Sequence, residues 1–212
     1  MGRLRKKPWA DDYLLNSNYV ESKPENNKGL WNKEIFNNDK DLYLEIGIGK
    51  GKFTIEHAEN NPNNNYVGVE KFPSVLVVPV KVTEEKEITN LKFVSGDATD
   101  LIDWFEDNSV SHIYLNFSDP WPKERHAKRR LVYRNFLNIY HQILKEGGEL
   151  EFKTDQLPLF EFALEEIKEH TKFEIVETSW DLHSEKENVI MTEYETRFTK
   201  MGNKIYFVKI KK

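Results

Sequence analysis

Leu42-Tyr43-Leu44-Glu45-Ile46-Gly47-Ile48-Gly49-Lys50-Gly51 decides the fold of this 212-residue chain. Its first five residues are a short apolar run, the pattern of a buried parallel strand. Glycines at alternate positions follow, and residues 51–60 can form a helix. At such a strand-to-helix turn the backbone passes close to a ligand, and the helix start favours polar or negative groups. The spacing narrows the ligand. A dinucleotide fingerprint needs G-x-G-x-x-G, but the third glycine here is Gly51, with Lys52 where the fingerprint wants Gly. A phosphate-binding loop fails as well, because Gly51-Lys52 is followed by Phe53. Glu45 at the head of the turn would repel a pyrophosphate and attract an ammonium. A ligand with an amino-acid end and a nucleoside end therefore fits, and S-adenosylmethionine has that form.

Outward from this stretch the chain repeats strand, loop and helix. Tyr66–Glu70 reads as a second strand, Leu91–Val94 as a third, Val110–Phe117 as a fourth and Gly148–Phe152 as a fifth. Phe173–Trp180 and Ile205–Ile210 look like two closing strands. In 131–145, Val132, Phe136, Ile139, Tyr140 and Ile143 share one helical face, and Gly147-Gly148 then read as its C-cap. Phe160, Ala163, Leu164 and Ile167 repeat that spacing in 157–168. Such alternation gives an α/β domain with a mostly parallel sheet and helices on both faces. Lys71–Glu85 resists the pattern, since Pro79 falls inside the helix required there and costs roughly 3 kcal/mol. A broken or kinked helix is predicted. Glu70 ends the second strand, where an acid can accept from two ribose hydroxyls, and Asp97 follows the third, within reach of an adenine amino group. Any one of these acids reads as a solvated strand end or a helix cap. Three in register after three successive strands read as a cofactor edge.

Composition sets the bounds. Hydrophobic residues make up 38% of the chain, enough for one complete core, and no apolar run approaches the length of a membrane span. The basic start lacks the apolar stretch of a signal peptide, so a cytoplasmic protein is expected. With no cysteine there is no disulfide, thiolate metal site or thiol nucleophile, and no metal is expected. Net charge is −5, yet cations gather at Arg3–Lys7 and Lys123–Arg130, so an acidic chain still carries a basic face. Residues 1–40 read as a partly ordered basic arm with aromatic anchors at Trp9, Tyr13 and Trp31, and 41–212 as one domain.

The fourth strand runs into Leu115–Arg130, LNFSDPWPKERHAKRR. Asp119 would face the methyl donor at the carboxyl edge of the sheet, with Trp121 available to stack on a base and a cationic tail behind it. Asp119-Pro120-Trp121-Pro122-Lys123, followed by Arg125-His126 and Lys128-Arg129-Arg130, resembles the bacterial tRNA (guanine-N7-)-methyltransferases of the TrmB family. Arg5-Lys6-Lys7-Pro8-Trp9-Ala10, the Glu45-x-Gly-x-Gly-x-Gly turn, Phe152-Lys153-Thr154-Asp155 and Met191-Thr192-Glu193-Tyr194-Glu195 match it in the same order. Pro79 departs from it, in a segment the family builds as helix.

The resemblance implies a Rossmann-like, seven-stranded class I methyltransferase that takes a methyl group from S-adenosylmethionine and places it on N7 of guanosine 46 in the tRNA variable loop. It implies cofactor contacts at Glu45, Gly47, Gly49, Glu70, Asp97 and Asp119, with Asp119 also catalytic. The substrate set it implies is Lys123, Asp155, Thr192, Glu193, Tyr194 and Glu195, with Arg125, Lys128, Arg129 and Arg130 on the RNA. Asp119 can stabilise charge growing on the purine or orient the guanine, and sequence leaves both open. His126 reads as a phosphate or packing partner. Monomer and homodimer both stay open. Two rivals are a methyltransferase for a protein or small molecule and an inactive RNA-binding subunit; the intact acidic set speaks against the second.

Overall fold

Alternation along each strand sorts its side chains between two faces, and the helices divide accordingly. A computed structural model describes residues 6–212, so the expectations for Arg3 and Arg5 lie outside the described residues. The strands are β1 (Asp41–Ile46), β2 (Asn64–Glu70), β3 (Leu91–Ser95), β4 (Val110–Asn116), β5 (Leu144–Thr154), β6 (Glu174–Ser179) and β7 (Tyr206–Lys211). They form one sheet in the order β3-β2-β1-β4-β5-β7-β6. All neighbours are parallel except β7, which is antiparallel to both β5 and β6.

One face of the sheet is covered by α1 (Ala10–Asn16), α2 (Lys52–Asn60) and α3 (Pro73–Glu85), whose Leu14, Ile55, Ala58, Leu76 and Val80 bury against Tyr66 and Phe93. The other is covered by α4 (Leu101–Trp104), α5 (Arg134–Ile143) and α6 (Leu157–His170). Leu42, Leu44 and Ile46 of β1 face this second, larger core with Phe136, Tyr140, Phe160 and Ile167. Glu45 therefore points to the α2 side, on the same face as Asn116 of β4 and Lys153 of β5. Two short helices, α7 (Leu182–Glu185) and α8 (Glu193–Lys200), lie between β6 and β7. Among the described residues no helix is long and apolar enough to cross a membrane.

Between α1 and β1 the chain crosses the β3 edge at Tyr19–Glu21. The Glu21 amide donates to Phe93 O and the Phe93 amide to Tyr19 O, both at 2.8 Å, which satisfies an edge strand otherwise open to pairing. Trp31 is buried, stacks on Phe105 and donates its indole N–H to Trp104 O at 2.8 Å.

Two expectations about helices change. Residues Pro73–Glu85 form one continuous helix with Pro79 inside it, not a broken one. Pro73 takes the first turn, where its missing N–H costs nothing. Pro79 is buried beside Leu76, Val77 and Val80, and its ring fills the space against Gly51, where an added Cβ would lie 2.4 Å from Pro79 Cβ. Tertiary contact thus offsets the lost hydrogen bond. Gly147-Gly148 do not cap α5. That helix ends at Ile143, Leu144 is already extended, and the glycines lie inside β5. There the pairing jumps from Val110↔Leu144 to His112↔Glu149, with Gly147 at φ +75°, which makes the glycines a bulge in the strand.

Candidate active site

β1 and β4 are neighbours, yet the chain between them builds β2 and β3 on the far side of β1. The sheet order reverses at this point, and the loops after the strands part to leave a crevice at their carboxyl ends. The glycine turn, Lys71-Phe72, Gly96-Asp97 and Phe117–Pro122 all reach this edge.

Gly47 and Gly49 are left-handed, at φ +78° and +58°, and a Cβ added to either would meet nothing within 4 Å. The backbone there faces open space of the kind a ligand can approach. Beneath it Glu45 is buried; Asn116 Nδ2 donates to its Oε1 at 2.8 Å and the Thr54 hydroxyl to its Oε2. Burial pushes the Glu45 carboxyl up to about 7, against the lowering effect of Asn116, Thr54 and the Lys153 charge. Glu70 is tied at both oxygens, by the Gly49 and Phe72 amides at 3.0 Å each. It too is raised by burial, with the Asp119 charge adding to the effect. Asp97 accepts Lys71 Nζ at 2.6 Å and the Thr99 amide and hydroxyl at 3.0 Å each. Burial raises its carboxyl, and these hydrogen bonds outweigh that, so it lies below the usual range. Each acid keeps lone pairs beyond those its protein partners use.

After β4 the chain turns through Phe117, left-handed at φ +52°, into exposed Asp119. Such a conformation in a bulky residue stores strain and persists only where its surroundings hold it. Arg130 supplies part of that hold. Its guanidinium donates to Pro120 O and Trp121 O at 3.1 Å each and lies 4.2 Å from the Phe162 ring centre. Arg130 thus braces the Asp119 turn from behind. Trp121 carries Arg129 over its ring at 4.9 Å and His126 at its edge, so one face of the expected aromatic shelf already holds a cation. Glu124–Arg129 wind into a 3₁₀ helix that exposes Arg125, Lys128 and Arg129, with Lys123 exposed ahead of it. The Ser118 hydroxyl, next to Asp119, is buried with no hydrogen-bond partner among the described residues.

The remaining expected residues divide. Asp155, just past β5, accepts the Tyr194 hydroxyl at 3.2 Å, and Glu193 and Tyr194 are exposed on the first turn of α8. Glu195 is fully buried, and its carboxylate is taken by Lys153, His183 and the Thr192 amide. Thr192 and Glu195 form a reciprocal capping box at the start of α8. On the sheet face below, His112, Glu149 and Glu151 converge in a geometry that can hold a cation, and Lys209 Nζ already lies 2.8 Å from Glu151 and 3.3 Å from Glu149.

A positively charged amino group, two ribose hydroxyls and an adenine edge match the acids at the ends of β1, β2 and β3. The open space at Gly47 and Gly49 and the unpartnered Ser118 hydroxyl leave room and bonding capacity for such a group. A family model described as a putative methyltransferase matches residues 39–208, which include every strand-end element of the site. The tRNA (guanine-N(7)-)-methyltransferase of Geobacillus sp. (strain WCH70) is 46% identical over 99% of this chain and 95% of its own length. The chain belongs to the tRNA (guanine-N7-)-methyltransferase family. A second member, from Bacillus subtilis (strain 168), is 46% identical over 96% of both chains. Among solved structures, an antibiotic-related methyltransferase superposes with a TM-score of 0.63 at 21% identity, over 85% of this chain and 91% of its own, a likeness in fold. For a tRNA (guanine-N7-)-methyltransferase, four polar side chains that build this site have no role legible in the sequence: Thr54, Asn116, Lys153 and His183. Asn116 and Lys153 lie inside the motif stretches Leu115–Arg130 and Phe152–Asp155, and their signal is a polar residue on a strand pattern that expects an apolar one; Thr54 and His183 carry none.

Proposed function

We propose that the protein transfers the methyl group of S-adenosylmethionine to N7 of guanosine 46 in the variable loop of tRNA. The observation that carries this reading is the junction at β4. Glu45 lies beneath the glycine turn, Glu70 accepts from its Gly49 amide, Asp97 follows the neighbouring β3, and past Asp119 the chain winds into the basic 3₁₀ helix. S-adenosylmethionine, when bound, supplies an electrophilic methyl group on a sulfonium. Glu45 would hold its ammonium, Glu70 its ribose hydroxyls and Asp97 its adenine amino group.

Guanine N7 carries an in-plane lone pair, so no proton need leave before attack. Methylation of a pyrimidine carbon through a thiol adduct is closed to a chain without cysteine. The protein's work is then alignment, together with stabilisation of positive charge growing on the purine. Asp119 would serve the second task, and as an acceptor it would also fix the guanine's orientation. Asp155, Glu193 and Tyr194 offer polar groups beside it, while Lys123, Arg125, Lys128 and Arg129 lead away as phosphate contacts.

The test incubates purified protein with labelled S-adenosylmethionine and unmodified tRNA, then maps 7-methylguanosine by mild reduction and chain cleavage. Cleavage at position 46 is expected; label elsewhere, or none, overturns the reading. Asp119→Ala should retain cofactor binding and turn over on the order of 100-fold more slowly. Turnover near the wild-type rate would remove Asp119 from the chemistry.

A further inference from the structure

A lysine is almost never fully buried unless its charge is paired. Lys153, on β5 two residues before Asp155, is 2% exposed. Its ammonium donates to Glu195 Oε2 at 2.8 Å and Ile190 O at 3.2 Å, and lies 4.7 Å from the Phe53 ring centre on α2. The other Glu195 oxygen lies 3.0 Å from His183 Nε2. Lys52, at the start of α2, donates to Met191 O at 3.0 Å.

Glu195 is the one fully buried residue of α8. The position of this helix against the sheet is therefore set by a buried ion pair, with the Tyr194 ring against Phe117 as the apolar contact beside it. Apolar contacts slide at little cost, whereas a buried ammonium–carboxylate pair holds only in one geometry, and fixing register is the best-attested use of such pairs. What α8 displays from that fixed start is Glu193 and Tyr194, exposed, with the Tyr194 hydroxyl on Asp155 and its ring between Phe198 and Phe117.

We propose that Lys153 is a positioning residue for the substrate. Through Glu195 it fixes the start of α8, and so places Glu193 and Tyr194 against Asp155. The inference rests on the reading of Thr192–Glu195 as part of the substrate-binding set. Because the same ammonium leans on Phe53 of α2, it joins the substrate wall to the helix that follows the glycine turn. Its charge also favours the ionised form of Glu45.

The test compares full-length wild type with Lys153→Met, Glu195→Gln and the double variant. Lys153→Met alone strands a buried carboxylate, so each fold is checked by thermal melting. The double variant removes both charges and keeps an amide that can complete the capping box. S-adenosylmethionine affinity is measured by calorimetry, kcat and KM on unmodified tRNA, and hydrogen exchange at the amides of 193–196. The double variant should melt near wild type and bind S-adenosylmethionine within about threefold of it, with KM for tRNA raised on the order of tenfold and faster exchange at 193–196. Glu195→Gln should match the double variant, since one linkage is broken in both. A wild-type KM for tRNA in the double variant overturns the inference, as do single losses that multiply or equal losses for tRNA and S-adenosylmethionine. A wild-type protein that leaves tRNA unmethylated defeats the functional reading instead. Exchange then decides the tether, and unchanged exchange at 193–196 overturns it.

Discussion

If Glu45 holds the donor's ammonium, cofactor binding must release a proton and weaken as pH falls below 7. Burial raises the Glu45 carboxyl to about 7 in the free protein, while an ammonium partner requires the ionised form. For a group titrating at 7, the ionised fraction is about 0.76 at pH 7.5 and about 0.09 at pH 6, an eightfold difference. The donor's own α-amino group, with an ordinary pKa of about 7.7–8.0, is itself partly neutral at pH 7.5 and trims this to about sixfold. Calorimetry in buffers of different ionisation enthalpy should show a Kd about sixfold weaker at pH 6 than at pH 7.5, with Glu45 releasing about 0.9 proton per binding event at pH 6. Glu45→Gln should lose at least about tenfold in affinity at pH 7.5 and abolish that release. Equal Kd values at the two pH values, or a Glu45→Gln protein with the wild-type pH profile, would refute the assignment. The same shift sets a stability cost. Between pH 4.5 and 7 the unfolded chain ionises Glu45 while the folded one keeps it protonated, so stability falls as pH rises through that window. The full loss is on the order of 3 kcal/mol above pH 7.

The two arginines that end the basic segment should separate in assay. Arg129→Ala should weaken tRNA binding and lower the slope of log affinity against log salt by about one. An unchanged slope would put Arg129 off the RNA. Arg130→Ala should leave that slope within error and lower kcat, because it releases the Pro120 and Trp121 carbonyls that brace the Asp119 turn; a wild-type kcat would refute the bracing role. Gly51→Ala places a Cβ 2.4 Å from Pro79 and forces a non-glycine residue to φ +76°. The backbone strain alone is about 1–2 kcal/mol, or roughly 2–8 °C of melting temperature for a chain of this size. An unchanged melting temperature would mean that the two segments do not meet.

The sequence by itself determined the sheet, because a short apolar run ending in glycine or acid has few other uses. Each of the seven strands overlaps an apolar run, although β5 begins at Leu144, ahead of the run that marks it, and Glu45, Glu70 and Asp97 stand at the end of β1, at the end of β2 and just past β3. Local pattern suffices where burial on a sheet is the dominant demand on a residue. Long-range contact decided the rest. Pro79 reads locally as a helix breaker, and only the nearness of Gly51, 28 positions earlier in the chain, shows why the helix holds around it. Gly147-Gly148 read as a cap until Lys212, just past β7, pairs with them across the sheet; the Gly147 amide donates to Lys212 O at 3.1 Å. Glu195 and Arg130 look like exposed charges in any linear reading. Tertiary structure buries one against Lys153 and turns the other inward onto the Asp119 loop. A charge's role depends on its partner, and here the partners lie on other elements of the fold.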